Sequence, residues 1–137
     1  MNPDEVHALR GRKAAEGLPR ARPGVHQKYR NQRVTDEDGL KFDSKAEHRH
    51  WLFLKARESA GEITALRRQV VFELAPPVEI QGRIKRALRY IADFVYTDPA
   101  TGHEVVEDVK GAVTQAWEIK RHLMASVHGI EVREIRA

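Results

Sequence analysis

The sequence predicts a mixed α/β domain in which helices flank a central sheet. Two helix-type segments, residues 44–61 and 113–129, each begin near a hydroxyl residue that can cap a helix and end at a glycine. Three strand-type segments lie between them and a fourth follows the second helix. The order helix, three strands, helix, strand indicates a mixed sheet flanked by helices.

The first elements follow from turn and capping patterns. The segment RVTDEDGLKF predicts a small hairpin, with Asp38-Gly39 at its turn. Ser44 followed three residues later by Glu47 predicts a capping box at the start of the first helix, and Gly61 predicts its end.

The remaining helices and strands are predicted from residue composition and from the prolines and glycines that interrupt regular structure. The segment ITALRRQVVFEL predicts a strand that ends at Pro76-Pro77. The segments RALRYIADFVYT and HEVVEDVKG predict two more strands, because they are rich in β-branched or aromatic residues and flank the turn DPATG. The segment VTQAWEIKRHLMASVHG predicts the second helix, with Thr114 as its cap, and IEVREI predicts a last strand.

Composition limits the class of protein. A chain of 137 residues is the usual size of one domain. The absence of cysteine excludes disulfides and thiolate metal sites, and it favours a reducing cytoplasm. The first 17 residues contain no apolar run, so we expect no signal peptide, and no stretch has the length of a membrane span.

The basic residues are concentrated at the start of the chain. Residues 1–33 contain eight Lys and Arg and three acidic residues, whereas the rest of the chain has a net charge of −1. We expect a mostly disordered basic arm over residues 1–33 and a folded domain over residues 34–137. Such an arm suits a polyanion, most simply nucleic acid, although a solvated tail would have the same composition.

The stretch VVEDVKG places three charged residues in an otherwise apolar strand. Because side chains alternate along a strand, Asp108 and Lys110 share one face with Val106, whereas Glu107 lies on the other. Asp108 and Lys110 can therefore act on one small ligand, and Glu107 cannot.

The preceding strand carries a single acid, Asp93, in an apolar run. If the two strands are neighbours, Asp93 and Asp108 lie close enough to share a divalent cation, and two carboxylates plus water suit Mg²⁺. Lys110 beside them would orient water or stabilise a phosphate. The alternative is a buried Asp–Lys salt bridge with no catalytic role.

Glu47 has two competing interpretations. It occupies the capping-box position, yet its spacing to Trp51 and Leu54 places it on the apolar face of its helix. It is therefore either a helix cap or a third acid of the site.

This ordered set resembles the PD-(D/E)xK nuclease superfamily: Glu47 on a first helix, Asp93 on a middle strand, then Asp108-Val109-Lys110 on the next. It is most similar to a small phage- and prophage-encoded subset, through KYRNQRV, DGLKFDSKAE, LRRQVVFEL, YIADFVY and VVEDVKG. The resemblance covers residues 28–129 and implies an αβββαβ restriction-endonuclease-like core.

The resemblance also implies roles for individual residues. Asp93 and Asp108 would bind Mg²⁺ or Mn²⁺ together with the carbonyl of Val109. Lys110 would position the attacking water or stabilise the pentacovalent phosphate, and Glu47 would support the metal. Ala92 stands where the superfamily name has proline, and Asp108 stands where glutamate is commoner.

Further residues have supporting roles in this interpretation. Gln69 matches a position where such nucleases hold a polar residue near the site. Lys120 would reach the site or extend into solvent. The residues expected to bind nucleic acid are basic and lie in the arm or before the Asp93 strand: Arg20, Arg22, Lys28, Arg30, Arg33, Arg83, Lys85 and Arg86.

Taken together, the sequence predicts a metal-dependent DNA endonuclease, resolvase-like and acting on branched phage DNA such as a Holliday junction. We expect a homodimer, because symmetric cutting of two strands needs two active sites. We expect a location in the bacterial cytoplasm and neither a membrane nor an organic cofactor. Alternatives are the endonuclease subunit of a Tn7-like transposase, a restriction-like nuclease, and a non-catalytic nucleic-acid-binding module.

Overall fold

The computed structural model describes residues 32–137 and has the mixed α/β architecture that the sequence predicts. The elements follow in this order along the chain: β1 (Val34–Thr35), β2 (Lys41–Phe42), α1 (Lys45–Ser59), β3 (Thr64–Ala75), β4 (Val78–Ile80), β5 (Arg83–Lys85), β6 (Leu88–Thr97), β7 (Glu104–Lys110), α2 (Gln115–His128) and β8 (Arg133–Arg136).

The central sheet has the order β3-β6-β7-β8. β6 pairs antiparallel with β3 and with β7, whereas β8 pairs parallel with β7. Parallel neighbours need a crossover connection, and α2 supplies it between β7 and β8. The predicted mixed sheet is therefore confirmed, and the strands that carry Asp93 and Asp108 are neighbours in it.

The helix boundaries agree with the predicted caps. Ser44 Oγ accepts a hydrogen bond from the Glu47 amide at 3.1 Å, and Thr114 Oγ1 accepts one from the Trp117 amide at 3.1 Å. Gly129, after α2, has a left-handed φ of 69°, which favours glycine. Within residues 32–137 no helix is long and apolar enough to cross a membrane.

The second half of the predicted capping box is wrong. The Glu47 carboxylate accepts a hydrogen bond from the amide of Asp43, at 3.3 Å, rather than from the amide of Ser44. The physical reason is that the other carboxylate oxygen faces Arg68 Nη2, at 3.7 Å, on β3. The side chain therefore reaches back past the first turn to Asp43 with one oxygen and lies toward the sheet with the other.

Each face of the sheet has its own hydrophobic core. The α1-side core consists of Leu54, Ile63, Phe94 and Tyr96. The α2-side core consists of Leu74, Tyr90, Ala92, Val95, Val106, Trp117, Met124 and Val132. The sheet is thus covered by one helix on each face, and both cores draw residues from β6.

In both β3 and β6 the regular alternation of side chains is interrupted once, at the same level of the sheet. Beyond that point, the residues that would face one core face the other. Tyr90 and Ala92 belong to the α2-side core, whereas Phe94 and Tyr96 belong to the α1-side core. The exchange occurs at Asp93, and the opposite residue, Gln69, has a φ of 51°. A left-handed conformation at a residue other than glycine costs about 1–2 kcal/mol. The sheet therefore has a local irregularity at the predicted site.

Two small hairpins complete the fold. The hairpin of β1 and β2 was predicted, and Asp36 Oδ1 stabilises its turn by accepting the amides of Asp38 and Leu40, both at 2.9 Å. The hairpin of β4 and β5 was not predicted, because three-residue strands are too short to show a period. Its loop, Gln81-Gly82, has positive φ at both residues, as a type I′ turn requires.

The α1-side core provides a direct test of this packing. Leu54 is fully buried, whereas Leu52 on the same helix is 53% exposed. We expect Leu54→Ala to lower the free energy of unfolding by about 2–5 kcal/mol, because it leaves a cavity. The matched change Leu52→Ala should cost less than about 0.5 kcal/mol. Urea denaturation followed by circular dichroism measures both, and equal losses would contradict the assigned face of α1.

Candidate active site at the open end of β6 and β7

The site is built where β6 and β7 stop pairing. Their ladder runs from Thr97 opposite Glu104 to Phe94 opposite Glu107, and it ends before Asp93. There the Asp93 side chain replaces the missing main-chain partner, because its Oδ2 accepts the amide of Val109 at 2.9 Å. The carboxylate of Asp93 is thereby fixed beside the strand that carries Asp108.

Asp108 is buried and held by two donors. Its Oδ1 accepts the hydroxyl of Tyr90 at 2.9 Å, and its Oδ2 forms an ion pair with Lys110 Nζ at 2.7 Å. A carboxylate has about four lone-pair positions, so two donors leave room for another ligand. The predicted sharing of one face by Asp108 and Lys110 is confirmed.

Lys110 is positioned from two sides. Besides its contact with Asp108, its Nζ lies 4.3 Å from the centre of the Trp117 ring on α2. An ammonium over an indole face is attracted by the ring quadrupole. The indole in turn donates from Nε1 to Glu134 Oε1 at 2.7 Å, so its orientation is fixed. The ammonium of Lys110 is therefore held at the edge of the acid pair.

The two carboxylate oxygens of Glu47 have different surroundings, and its role as a third acid of the site stays a prediction. One oxygen, Oε2, accepts the Asp43 amide, as described above, and so acts on the start of α1. The other oxygen, Oε1, is buried and accepts no hydrogen bond within the described residues. The cation beside this oxygen is the guanidinium of Arg68, whose Nη2 lies 3.7 Å away, too far for a hydrogen bond, so the oxygen has a charge partner but no donor.

The three acids act on one another electrostatically. Burial, followed by the negative charge of Asp108, raises the pKa of Asp93 to about 7, although the Val109 amide and Lys110 oppose the rise. Glu47 also contributes to that rise. Burial is likewise the main cause of the raised pKa of Glu47, with smaller contributions from Asp43 and Asp108. Burial and the neighbouring carboxylates thus disfavour the ionised forms of Asp93 and Glu47.

The donor set fits a hard cation only in part. All the available ligands are oxygens, and the mutual repulsion of Asp93 and Asp108 would be relieved by a positive ion. Within residues 32–137, however, no three His, Asp or Glu side chains form a complete ligand group for a metal. Glu47 is close enough to affect the pKa of Asp93 but does not join such a group. Two carboxylates plus water are sufficient for Mg²⁺, which keeps several waters in proteins.

Glu107 lies on the opposite face, as predicted. Its carboxylate accepts the hydroxyl of Tyr96 at 2.7 Å and contacts His50 Nε2 at 2.7 Å, and Arg133 Nη1 lies 3.4 Å away. Burial alone would raise the pKa of Glu107, but the bonds to His50 and Tyr96 outweigh it, and the pKa is lowered. Glu107 therefore links α1 to β7 through His50, and both of its carboxylate oxygens already have hydrogen-bond or ion-pair partners.

The family comparison covers this whole site. The model of a family described as protein of unknown function (DUF1064) matches residues 26–135. The chain belongs to that family. No curated protein and no solved structure matches it. Every predicted catalytic residue of this DUF1064 chain lies inside the matched range.

The other predicted residues have varied surroundings. Gln69 Nε2 lies 3.5 Å from Asp93 Oδ1, a long contact, and its supporting role stays a prediction. The Lys120 side chain is exposed on α2 and forms no ion pair with the acids of the described region. Arg33 and the three basic residues of the β4–β5 region are exposed: Arg83, Lys85 and Arg86. The rest of the predicted nucleic-acid set lies outside the described residues: Arg20, Arg22, Lys28 and Arg30.

Sequence reasoning missed three residues that shape the site of this DUF1064 protein. Tyr90 bonds Asp108, Trp117 contacts Lys110, and Arg68 faces Glu47. A buried tyrosine hydroxyl needs a partner, so Tyr90 in an apolar strand was a usable indication. Arg68 was also visible as a charge within a strand, and its guanidinium lies 4.1 Å from the centre of the Phe42 ring.

The raised pKa of Asp93 predicts how stability depends on pH without divalent cations. Its folded pKa lies above the unfolded value, so this carboxyl makes the protein less stable as pH rises from about 4 to about 7. Asp93→Asn keeps an acceptor for Val109 and removes the charge. We expect the melting temperature of the variant, relative to wild type, to be several degrees higher at pH 8 than at pH 5.

Thermal melts in EDTA at the two pH values make this measurement. Asp38→Asn, in the exposed turn between β1 and β2, is the matched control and should show no such pH-dependent gain. A gain for Asp93→Asn that is equal at both pH values would contradict the electrostatic account.

Proposed function

We propose that this protein is a metal-dependent DNA endonuclease that hydrolyses phosphodiester bonds. The observation that carries the proposal is the pair Asp93 and Asp108 on neighbouring strands, with Lys110 Nζ 2.7 Å from Asp108 at the same end of the sheet. Its surroundings support a catalytic site rather than a simple salt bridge, because Lys110 pairs with Asp108 and Arg68 faces Glu47, whereas Asp93 forms no ion pair within the described residues.

In this proposal each residue has a distinct task. Asp93 and Asp108 would hold Mg²⁺ or Mn²⁺, which when bound would supply Lewis-acid polarisation of the phosphodiester. Lys110 would donate a hydrogen bond to the phosphate as negative charge develops on it. Tyr90 and the Val109 amide would keep the two carboxylates in place, and Glu47 would add negative charge from α1.

The resemblance to the PD-(D/E)xK superfamily supports the same proposal and extends it. On that resemblance the substrate would be branched phage DNA, such as a Holliday junction, and the protein would be a homodimer in the bacterial cytoplasm. A transposase-like or restriction-like nuclease would use the same residues on a different DNA. Cleavage assays with Mg²⁺ or Mn²⁺ on linear, flapped and four-way DNA separate these cases, and a non-catalytic binding module would cut none of them.

Lys110 provides the first test of catalysis. Lys110→Ala removes the donor nearest the acid pair, so cleavage should fall by about a hundredfold or more. Binding of four-way DNA, measured by fluorescence anisotropy in Ca²⁺, should change by less than about threefold. Lys55→Ala on the exposed side of α1 is the control. A Lys110→Ala variant that cuts at the wild-type rate would show that the lysine has only a structural role.

The two adjacent acids of β7 provide a test of metal binding. Asp108→Asn should weaken the binding of Mn²⁺ at least tenfold by isothermal titration calorimetry, because it removes one of two charged ligands. Glu107→Gln should leave the Mn²⁺ affinity nearly unchanged, because Glu107 is occupied by His50 and Tyr96. The reverse pattern would mean that the metal lies on the α1 side of the sheet.

Glu47 provides a test that separates charge from capping. Glu47→Gln can still accept the Asp43 amide, so the melting temperature should change little. It cannot supply negative charge, and cleavage should fall about tenfold, equivalent to roughly 1.4 kcal/mol in the barrier. If Glu47→Gln cuts normally while Glu47→Ala only lowers the melting temperature, Glu47 is a structural residue.

A further inference from the structure

The β4–β5 ribbon, residues 78–85, packs against no other helix or strand of residues 32–137 to any large extent. All six strand residues of the ribbon are exposed, and so are both residues of its turn. Three of its side chains are large and apolar: Val78 is 54% exposed, Ile80 50% and Ile84 71%. An isolated two-stranded hairpin gains little stability by itself, so exposed apolar side chains on it indicate a contact surface.

The two faces of the ribbon differ in chemistry. Val78 lies opposite Lys85, and Ile80 lies opposite Arg83, so these four side chains share one face, the basic face of the ribbon. The reverse face carries the opposed pair Glu79 and Ile84. The basic face thus combines two positive charges with two apolar groups, and the acidic residue is kept away from it.

We propose that the β4–β5 ribbon enters the major groove of the DNA with its basic face toward the base edges. The inference rests on the proposed function for the identity of DNA as the ligand. The major groove, about 12 Å wide, admits a two-stranded ribbon. Arg83 and Lys85 would contact phosphates or guanine edges, and Val78 and Ile80 would contact thymine methyl groups.

The positive charge of the ribbon favours DNA, rather than a second copy of this chain, as its binding partner. Residues 78–86 contain Arg83, Lys85 and Arg86 but only one acid, Glu79. None of the three basic residues forms an ion pair with any part of the chain that the structure describes. A twofold contact between two ribbons would place like charges together, whereas a phosphate backbone would neutralise them.

The ribbon is also separate from the acid cluster. Leu88, the first residue of β6, is five residues from Asp93, or about 16 Å at the rise of a strand. Contacts of the ribbon would therefore lie several base pairs from the phosphate at the active site. Such a contact would increase affinity and fix the orientation of the duplex without touching the reacting atoms.

The absence of cysteine from the chain allows a direct experiment. Ile80→Cys places a unique thiol on the basic face, and Ile84→Cys places one on the reverse face of the same ribbon. We expect a saturating duplex to slow maleimide alkylation of Ile80→Cys at least tenfold and that of Ile84→Cys less than threefold. Protection of neither thiol would overturn the contact, and equal protection of both would overturn the assigned face.

A second measurement tests the role of charge. Arg83→Ala with Lys85→Ala should weaken binding to a duplex at least tenfold and reduce the salt slope of log affinity by about 0.9 for each of the two residues that contacts a phosphate. Arg49→Ala with Lys55→Ala on α1 removes the same net charge and should have a much smaller effect. Equal effects of the two double variants would overturn the proposal.

The outcomes distinguish this proposal from the nuclease proposal. Binding and alkylation are measured in Ca²⁺ or EDTA and need no cleavage, so the ribbon contact can be established even if no DNA is cut. Cleavage by wild type, with unchanged binding by the Arg83→Ala, Lys85→Ala variant, would support the nuclease and overturn the ribbon contact. A loss of dimers in the same variant, seen by light scattering, would assign the ribbon to a contact between copies and overturn the proposal.

Discussion

The contact between Asp93 and the amide of Val109 determines the geometry of the site. At this point β6 and β7 no longer exchange main-chain hydrogen bonds, and a side chain takes the place of the missing partner. The same residue marks the level at which β6 shifts its side chains from one face of the sheet to the other. A carboxylate that would otherwise lie within a hydrophobic core is thereby placed at an opening beside Asp108.

Because side chains alternate along β7, its two adjacent acids lie on opposite faces of the sheet and have different roles. Glu107 and Asp108 are adjacent in sequence and both are buried, yet their partners differ completely. Glu107 is surrounded by donors that lower its pKa, whereas Asp108 repels Asp93 and is balanced by a single lysine. One strand thus contributes an anchor for α1 on one side and, on the other, the carboxylate that we propose as a metal ligand.

The sequence was sufficient to predict the parts of the site that depend on neighbouring residues in the chain, such as the alternation of side chains along a strand. The two-residue period of VVEDVKG predicted the faces of Asp108, Lys110 and Glu107, and capping residues predicted both helix starts. The contacts of Tyr90, Arg68 and Trp117 were not predicted, because they depend on the register between strands and on how α2 lies over the sheet. The exchange of faces at Asp93 was also hidden, since strict alternation carries no indication of where it will break. Glu47 shows the same limit: its position on α1 was predictable, but the division of tasks between its two oxygens depends on Arg68, which is 21 residues away in sequence.

The indole of Trp117 gives the site an optical property. The chain has only two tryptophans, and the other, Trp51, stacks on Phe94 at a centroid distance of 6.1 Å on the opposite side of the sheet. Lys110 Nζ lies 4.3 Å from the centre of the Trp117 ring, whereas Lys55 Nζ lies 5.4 Å from the centre of the Trp51 ring. Indole emission is sensitive to nearby charge, so a displacement of Lys110 changes the fluorescence of Trp117 and not that of Trp51. Replacing Trp51 with phenylalanine therefore leaves Trp117 as the only indole, and its emission responds to the two charged groups that contact it, Lys110 and Glu134.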